Sequence, residues 1–182
     1  MKKIFASMMA AAMVVSLAGC SNGNSSESGS SANSEGGSDN AAAYKLGMGV
    51  VTSTASSAAG NAQVDATVAA VVLDADGKIV SCAIDVAQNK MDVTDGEVPE
   101  DAASMTFKSK KEKLEEYGMK PASAIGKEWY EHSEGWCDYL KGKTRTEIAG
   151  IPDDGSDADL AALCTISVTE LQKAALAAFA EE

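Results

Sequence analysis

Apolar and polar residues alternate in two neighbouring runs in the first half of the chain. Residues 64–72 are rich in Val, Ala and Thr, and a second run follows at 78–86. The segment Asp74–Gly77 separates them, and its Asp-Gly pair supplies the positive φ angles that a tight turn needs. The two runs therefore predict a β-hairpin whose acidic residues serve the turn and do not bind calcium.

Residues 44–52 predict a further strand ahead of this hairpin. Gly47 and Gly49 within it have no side chain, so another backbone or a ligand is expected to approach closely there. The small, polar residues 53–61 that follow predict a loop.

Apolar spacings of three and four residues, typical of amphipathic helices, dominate the second half. A helix is predicted within 122–140, and a terminal helix is predicted after Ser167–Glu170, which has the form of a capping box. Thr144–Glu147 has the same form and predicts a short helix. The stripe within 122–140 is interpreted as core rather than as a ring-stacking surface: Ile125, Trp129, His132, Trp136 and Leu140.

The order of these elements predicts the fold class. Residues 44–182 have the length of one domain. Strands come first and helices concentrate toward the C-terminus, which predicts an α+β fold with an antiparallel sheet and helices packed on one side. The pattern does not specify the order of the strands.

The amino terminus has the layout of a signal peptide. Two lysines precede an apolar stretch at 4–17 that is too short to span a bilayer comfortably. The sequence Leu17–Cys20 resembles the lipobox of bacterial lipoproteins, in which the cysteine sulfur receives diacylglycerol. We expect residues 1–19 to be removed, Cys20 to be lipidated, and the Ser/Gly-rich residues 20–43 to tether the domain to the extracytoplasmic face of the cell membrane.

Charge excludes one class of partner. The formal net charge is -12, and loss of the two signal-peptide lysines takes it to about -14. Such an acidic surface repels nucleic acid, so no nucleic-acid partner is expected. The lysine-rich segment Lys108–Lys113, which includes Lys110 and Lys111, is either a solvated face or a cluster that attracts phosphate.

Cysteine and histidine spacing argues against metal and triad chemistry. Beyond Cys20 the chain has Cys82, Cys137 and Cys164, so at most one disulfide forms among these three. The single histidine, His132, has no partner at metal-ligand spacing and no sequence link to a nucleophile.

The closing segment is the candidate binding site. Residues 163–166 immediately precede the predicted terminal helix, where free N–H groups and the helix dipole favour an anion. Thr165 is interpreted either as a contact to such an anion or as a β-branched residue that closes a strand.

Two motifs carry a resemblance to a known family. The hairpin Val71–Val80 and the closing segment Asp159–Ser167, in this order and followed by a helix, resemble bacterial FMN-binding domains related to the flavin-carrying subunits of sodium-pumping quinone reductase and Rnf complexes. In that family a flavin transferase esterifies a Thr, six residues after an Asp, with the phosphate of FMN. Asp159 and Thr165 match this spacing, whereas residues 162–164 are Ala-Leu-Cys where the family has Ser-Gly-Ala.

The resemblance implies a cofactor and partners. The cofactor would be FMN, bound covalently or not, and the partners would be a flavin transferase and a membrane redox protein. The implied cofactor-binding residues are Asp159, Cys164, Thr165 and Ser167, with Lys110 and Lys111.

Two functions follow. The first is a membrane-anchored electron carrier, rather than an enzyme with its own substrate. The alternative is a surface lipoprotein module without a cofactor that binds a small ligand or an envelope protein.

Overall fold

A computed structural model describes residues 44–93 and 95–179. These residues belong to one compact unit. The predicted signal peptide, lipidated Cys20 and tether lie outside the described residues, so those predictions stay untested.

Three strands form one antiparallel sheet in the order β1-β2-β3, with β1 at Lys45–Ser53, β2 at Asn61–Leu73 and β3 at Ile79–Asp92. The predicted hairpin is confirmed, and its arms are longer than predicted because pairing continues from Leu73 opposite Ile79 to Asn61 opposite Asp92. The predicted first strand is confirmed as β1, which pairs along β2.

Helices follow the strands along the chain. The described residues contain α1 (Lys110–Lys113), α2 (Trp129–Leu140), α3 (Arg145–Ala149), α4 (Ala158–Leu163) and α5 (Thr169–Ala177). Short 3-10 turns occupy Ala102–Ser104, Leu114–Tyr117 and Lys120–Ala122. Among the described residues, every helix is too short or too polar to span a lipid bilayer.

The helices cover one face of the sheet, as predicted for the α+β class. Helix α5 packs on β1 and β2, and α2 packs on β3. The opposite face is open: Leu46 is 86%, Met48 70% and Val50 52% exposed. The inward-facing residues of β2 and β3 form a core with the helices, centred on side chains such as Trp136 and Leu140, which are fully buried.

The two glycines of β1 explain how closely α5 approaches the sheet. A Cβ atom on Gly47 would lie 1.8 Å from the carbonyl oxygen of Ala178, and one on Gly49 would lie 2.1 Å from that of Ala174. Both distances are far below van der Waals contact, so α5 packs here only because these positions lack side chains. The predicted close approach is made by a helix backbone.

Helix α2 begins later than predicted. The chain forms the 3-10 turn Lys120–Ala122 and then a turn at Gly126, whose φ is +66°. This left-handed backbone cannot continue into a helix, so α2 starts at Trp129 and Ile125 is not part of its stripe. The other stripe residues are buried, which confirms the core interpretation: Trp129, His132, Trp136 and Leu140.

The two predicted capping boxes differ in outcome. Thr144 caps α3, because its hydroxyl accepts from the Glu147 N–H and the Glu147 carboxylate accepts from the Thr144 N–H at 2.8 Å. Ser167 does not cap α5, whose N-cap residue is Val168 without a side-chain cap hydrogen bond. The Ser167 hydroxyl instead lies 3.3 Å from the hydroxyl of Thr169.

Candidate functional site

A pocket of about 380 Å³ lies beside the segment that connects α4 to α5. One side is formed by residues 152–155 of the loop before α4, and the other by Leu160, Ala161 and residues 164–168. Its size is at the lower end of the range for small-molecule sites.

Three of the predicted site residues meet at this pocket. Cys164, Thr165 and Ser167 all belong to its lining. Thr165 and Ser167 are exposed, whereas Cys164 is buried. Asp159 is exposed on α4 and lies outside the pocket lining, so the Asp-Thr spacing of the motif does not bring both residues to one cavity.

The two predicted lysines lie elsewhere. The Lys110 ammonium is 5.4 Å from the centre of the Tyr117 ring and 5.6 Å from that of Trp129, within the range of cation–π attraction. The Lys111 ammonium is 3.6 Å from the Glu134 carboxylate. Both side chains therefore serve the contact between α1 and α2, and neither belongs to the pocket lining.

A different lysine stands beside the closing segment. The Lys127 ammonium donates a hydrogen bond of 3.1 Å to the carbonyl oxygen of Leu163, the last residue of α4. A cation is favourable at this position because the helix dipole is negative at the C-terminus. Sequence reasoning missed Lys127, because it lies 36 residues before Leu163 in the chain. The contact between them depends on how α2 packs against α4.

His132 holds the backbone of Thr165 in place through a hydrogen bond. Its imidazole is fully buried, and its Nδ1 accepts a hydrogen bond of 3.2 Å from the Thr165 N–H. Because Nδ1 is an acceptor, the ring proton resides on Nε2, which lies 2.9 Å from the Ser123 hydroxyl oxygen. Burial lowers the pKa of His132, and the nearby Lys127 ammonium lowers it further, so the imidazole is held neutral.

The distance between Ser123 and His132 would suit a nucleophile and its general base. The hydrogen bond, however, runs from the imidazole to the serine, which is opposite to the direction that a general base requires. The imidazole donates to Ser123, and that hydroxyl also accepts from the Lys127 N–H at 3.1 Å. A general base would need a free lone pair facing the serine. The pair therefore orders the turn before α2.

The Thr165 N–H is consequently not free to bind an anion. It is occupied by His132, and α5 begins only at Thr169. The expectation that residues 163–166 present unpaired helix N–H groups is wrong at Thr165, because this N–H donates to His132 and α5 begins four residues later. Thr165 as a residue is exposed and belongs to the pocket lining.

The loop on the other side of the pocket is acidic. Asp153 accepts from the Thr169 hydroxyl at 3.2 Å, and Asp154 accepts from the Ser156 N–H at 2.9 Å. The hydrogen bonds from Ser156 lower the pKa of Asp154, so this carboxylate is ionised near neutral pH. Gly155, with φ of +76°, completes a solvated connector, and no cluster of three metal-ligating side chains occurs within residues 44–93 and 95–179.

A phosphate ester requires a hydroxyl group, and the pocket lining includes two exposed residues that carry one, Thr165 and Ser167. The acidic residues Asp153 and Asp154 belong to the same lining and would repel a phosphate.

Comparison with known proteins finds similarity over part of the chain. The chain is 38% identical over 93 residues to a protein named chlorophenol reductase from Desulfitobacterium hafniense. The match covers 45% of this chain and 28% of that protein. No family model matches the chain, and no solved structure matches it.

Proposed function

We propose that this protein is a lipid-anchored, extracytoplasmic module that carries FMN and passes electrons between a membrane reductase and an external acceptor. The observation that supports this proposal most directly is that Thr165 is exposed and belongs to the lining of a cavity of about 380 Å³. The similarity of almost half of the chain to a protein named as a reductase supports a redox role.

The residues around Thr165 would have separate roles. The Thr165 hydroxyl oxygen would form the phosphate ester, while His132 holds the Thr165 backbone in place through its N–H. Lys127 would contribute positive charge near Leu163 and partly offset the carboxylates of Asp153 and Asp154. Bound flavin would supply the redox chemistry, and the protein would supply attachment and orientation.

Co-expression of the full chain with a flavin transferase tests attachment. Intact mass should increase by one FMN ester, and a peptide containing Thr165 should carry it. Thr165→Ala should abolish the adduct and Thr165→Ser should retain it, because serine preserves the hydroxyl. Thr146→Ala, at an exposed position in α3, is the matched control and should load normally. A colourless wild type with unchanged mass and no FMN binding on titration would reject the proposal.

The proposed anchor rests on the sequence Leu17–Cys20 and has its own test. Cells fed labelled palmitate should incorporate the label into the wild type and not into Cys20→Ser, which removes the acceptor sulfur. The variant should also leave the membrane fraction. Equal labelling of both proteins would contradict lipidation at Cys20.

The alternative is a module without a cofactor that binds a small ligand or an envelope protein. Two observations favour it: Asp153 and Asp154 line the cavity, and residues 162–164 lack the small sequence Ser-Gly-Ala. Under this alternative Thr165→Ala leaves the cellular function unchanged, whereas it abolishes function if flavin is attached there.

A further inference from the structure

Two of the three cysteines in the domain meet across the core. Cys82 lies in β3 and Cys137 in α2, 55 residues later, and their sulfur atoms are 3.1 Å apart. Cys137 is 7% exposed and Cys82 is partly buried. The packing of α2 on β3 holds both side chains in place, so the contact is a property of the fold.

The third cysteine has a different environment. Cys164 is 3% exposed at the C-terminal end of α4, and burial raises the pKa of its thiol. The sequence allowed any one pairing among the three cysteines, and the geometry selects Cys82 with Cys137.

We propose that Cys82 and Cys137 form a disulfide that joins β3 to α2 in the exported protein and leaves Cys164 as a free thiol. A disulfide bond is about 2.05 Å long, so the two sulfurs need to approach by roughly 1 Å. Disulfides persist in oxidising compartments outside the cytosol, so this inference rests on the export that the proposed function includes. The choice of Cys82 and Cys137 as partners rests on the structure alone.

The oxidation is a thiol–disulfide exchange with an external disulfide compound. One thiolate of the pair attacks that disulfide, which forms a mixed disulfide and releases one thiolate of the oxidant. The other cysteine of the pair then loses its proton, attacks the protein sulfur of the mixed disulfide and releases the second thiolate. Two electrons pass from the cysteine pair to the oxidant, and the two protons leave with the released thiols.

The surroundings of the reduced pair favour ionisation of Cys137. The hydrogen bond with Cys82 lowers the pKa of Cys137, and the nearby Lys111 ammonium lowers it further. Lys111 therefore influences the ionisation of Cys137 and not the pocket.

The test uses the full chain carrying Cys20→Ser, so that the lipidation cysteine adds no thiol. After incubation with oxidised glutathione, its mass should fall by two hydrogen atoms and the number of alkylatable thiols in denaturant should fall from three to one. Peptide mapping without reduction should join the Cys82 and Cys137 peptides and find Cys164 alkylated.

Two single substitutions sharpen the result. Cys164→Ala should still form the cross-link, whereas Cys137→Ala should not. Three alkylatable thiols after oxidation, stable glutathione adducts in place of the cross-link, or a linkage that includes Cys164 would each overturn the proposal. None of these measurements depends on flavin, so a failure here is distinct from a failure of the proposed function.

Discussion

The main-chain N–H of Thr165 donates a hydrogen bond of 3.2 Å to Nδ1 of His132. This bond ties the segment beside the pocket to a helix whose inner face is core. A histidine that sequence reasoning assigned only to the core stripe therefore sets the position of the candidate attachment residue.

Mild acid should weaken the domain through His132. Its pKa is lowered in the folded state by burial, so below its unfolded pKa of about 6.5 the unfolded chain binds a proton that the folded chain resists. Protonation would also place an N–H on Nδ1 against the Thr165 N–H. The free energy of unfolding should therefore fall as pH decreases from about 7 through 6, as measured by urea denaturation.

His132→Asn is the matched variant for this experiment. Its side-chain carbonyl can accept from the Thr165 N–H but does not titrate. Since the chain has one histidine, the slope of stability against pH between about 7 and 6 should flatten in this variant, while the Lys127 and Glu131 charges beside the site remain. An unchanged slope would exclude His132 as the source.

Gly49→Ala should strongly destabilise the sheet–helix contact. The added Cβ would lie 2.1 Å from the Ala174 carbonyl oxygen and 2.6 Å from the Ala178 nitrogen, and both are backbone atoms that move only if α5 moves. Overpacking of this kind costs about 1–3 kcal/mol or more. Thermal unfolding should show the loss, whereas Thr52→Ala, at an exposed position of the same strand, should stay within about 0.5 kcal/mol of wild type.

Glu128→Ala should release the 3-10 turn from α2. The buried Glu128 carboxylate accepts from the Met119 N–H at 2.8 Å and from the Lys120 N–H at 3.1 Å. Each hydrogen bond to a charged group contributes about 1.5–3 kcal/mol. Loss of both should lower the free energy of unfolding by about 3–6 kcal/mol, and hydrogen exchange at both amides should accelerate.

Glu131→Ala provides the comparison, because its carboxylate accepts one part-buried hydrogen bond, from the Glu128 N–H at 2.8 Å. Its cost should resemble that of an ordinary helix cap, about 1 kcal/mol. Equal losses in the two variants would contradict a special role for Glu128.

Oxidation of the Cys82–Cys137 pair should stabilise the domain. A cross-link that closes a loop of 55 residues restricts the unfolded chain and is worth about 4 kcal/mol by loop entropy. Urea denaturation of the oxidised and reduced forms should differ by an amount of this order, and Cys137→Ala should show no dependence on reductant. A reduced form as stable as the oxidised one would show that the bond strains the native state.

Local sequence determined the elements of this domain. Asp74–Gly77 specified the turn of the hairpin, two glycines marked the approach to β1, and Thr144–Glu147 specified a helix start, because each of these features acts within a few residues. The α+β class followed from their order. Helix α2 was placed too early because apolar spacing cannot register the left-handed turn at Gly126.

The tertiary structure decided the chemistry of the site. The contacts of Lys127 with Leu163, His132 with Thr165 and Cys82 with Cys137 span 36, 33 and 55 residues. Such contacts depend on how α2 packs against β3 and α4, which no periodicity along the chain encodes. The same packing placed Lys110 and Lys111 at the α1–α2 contact, where the Tyr117 ring attracts the Lys110 ammonium and the Glu134 carboxylate attracts the Lys111 ammonium.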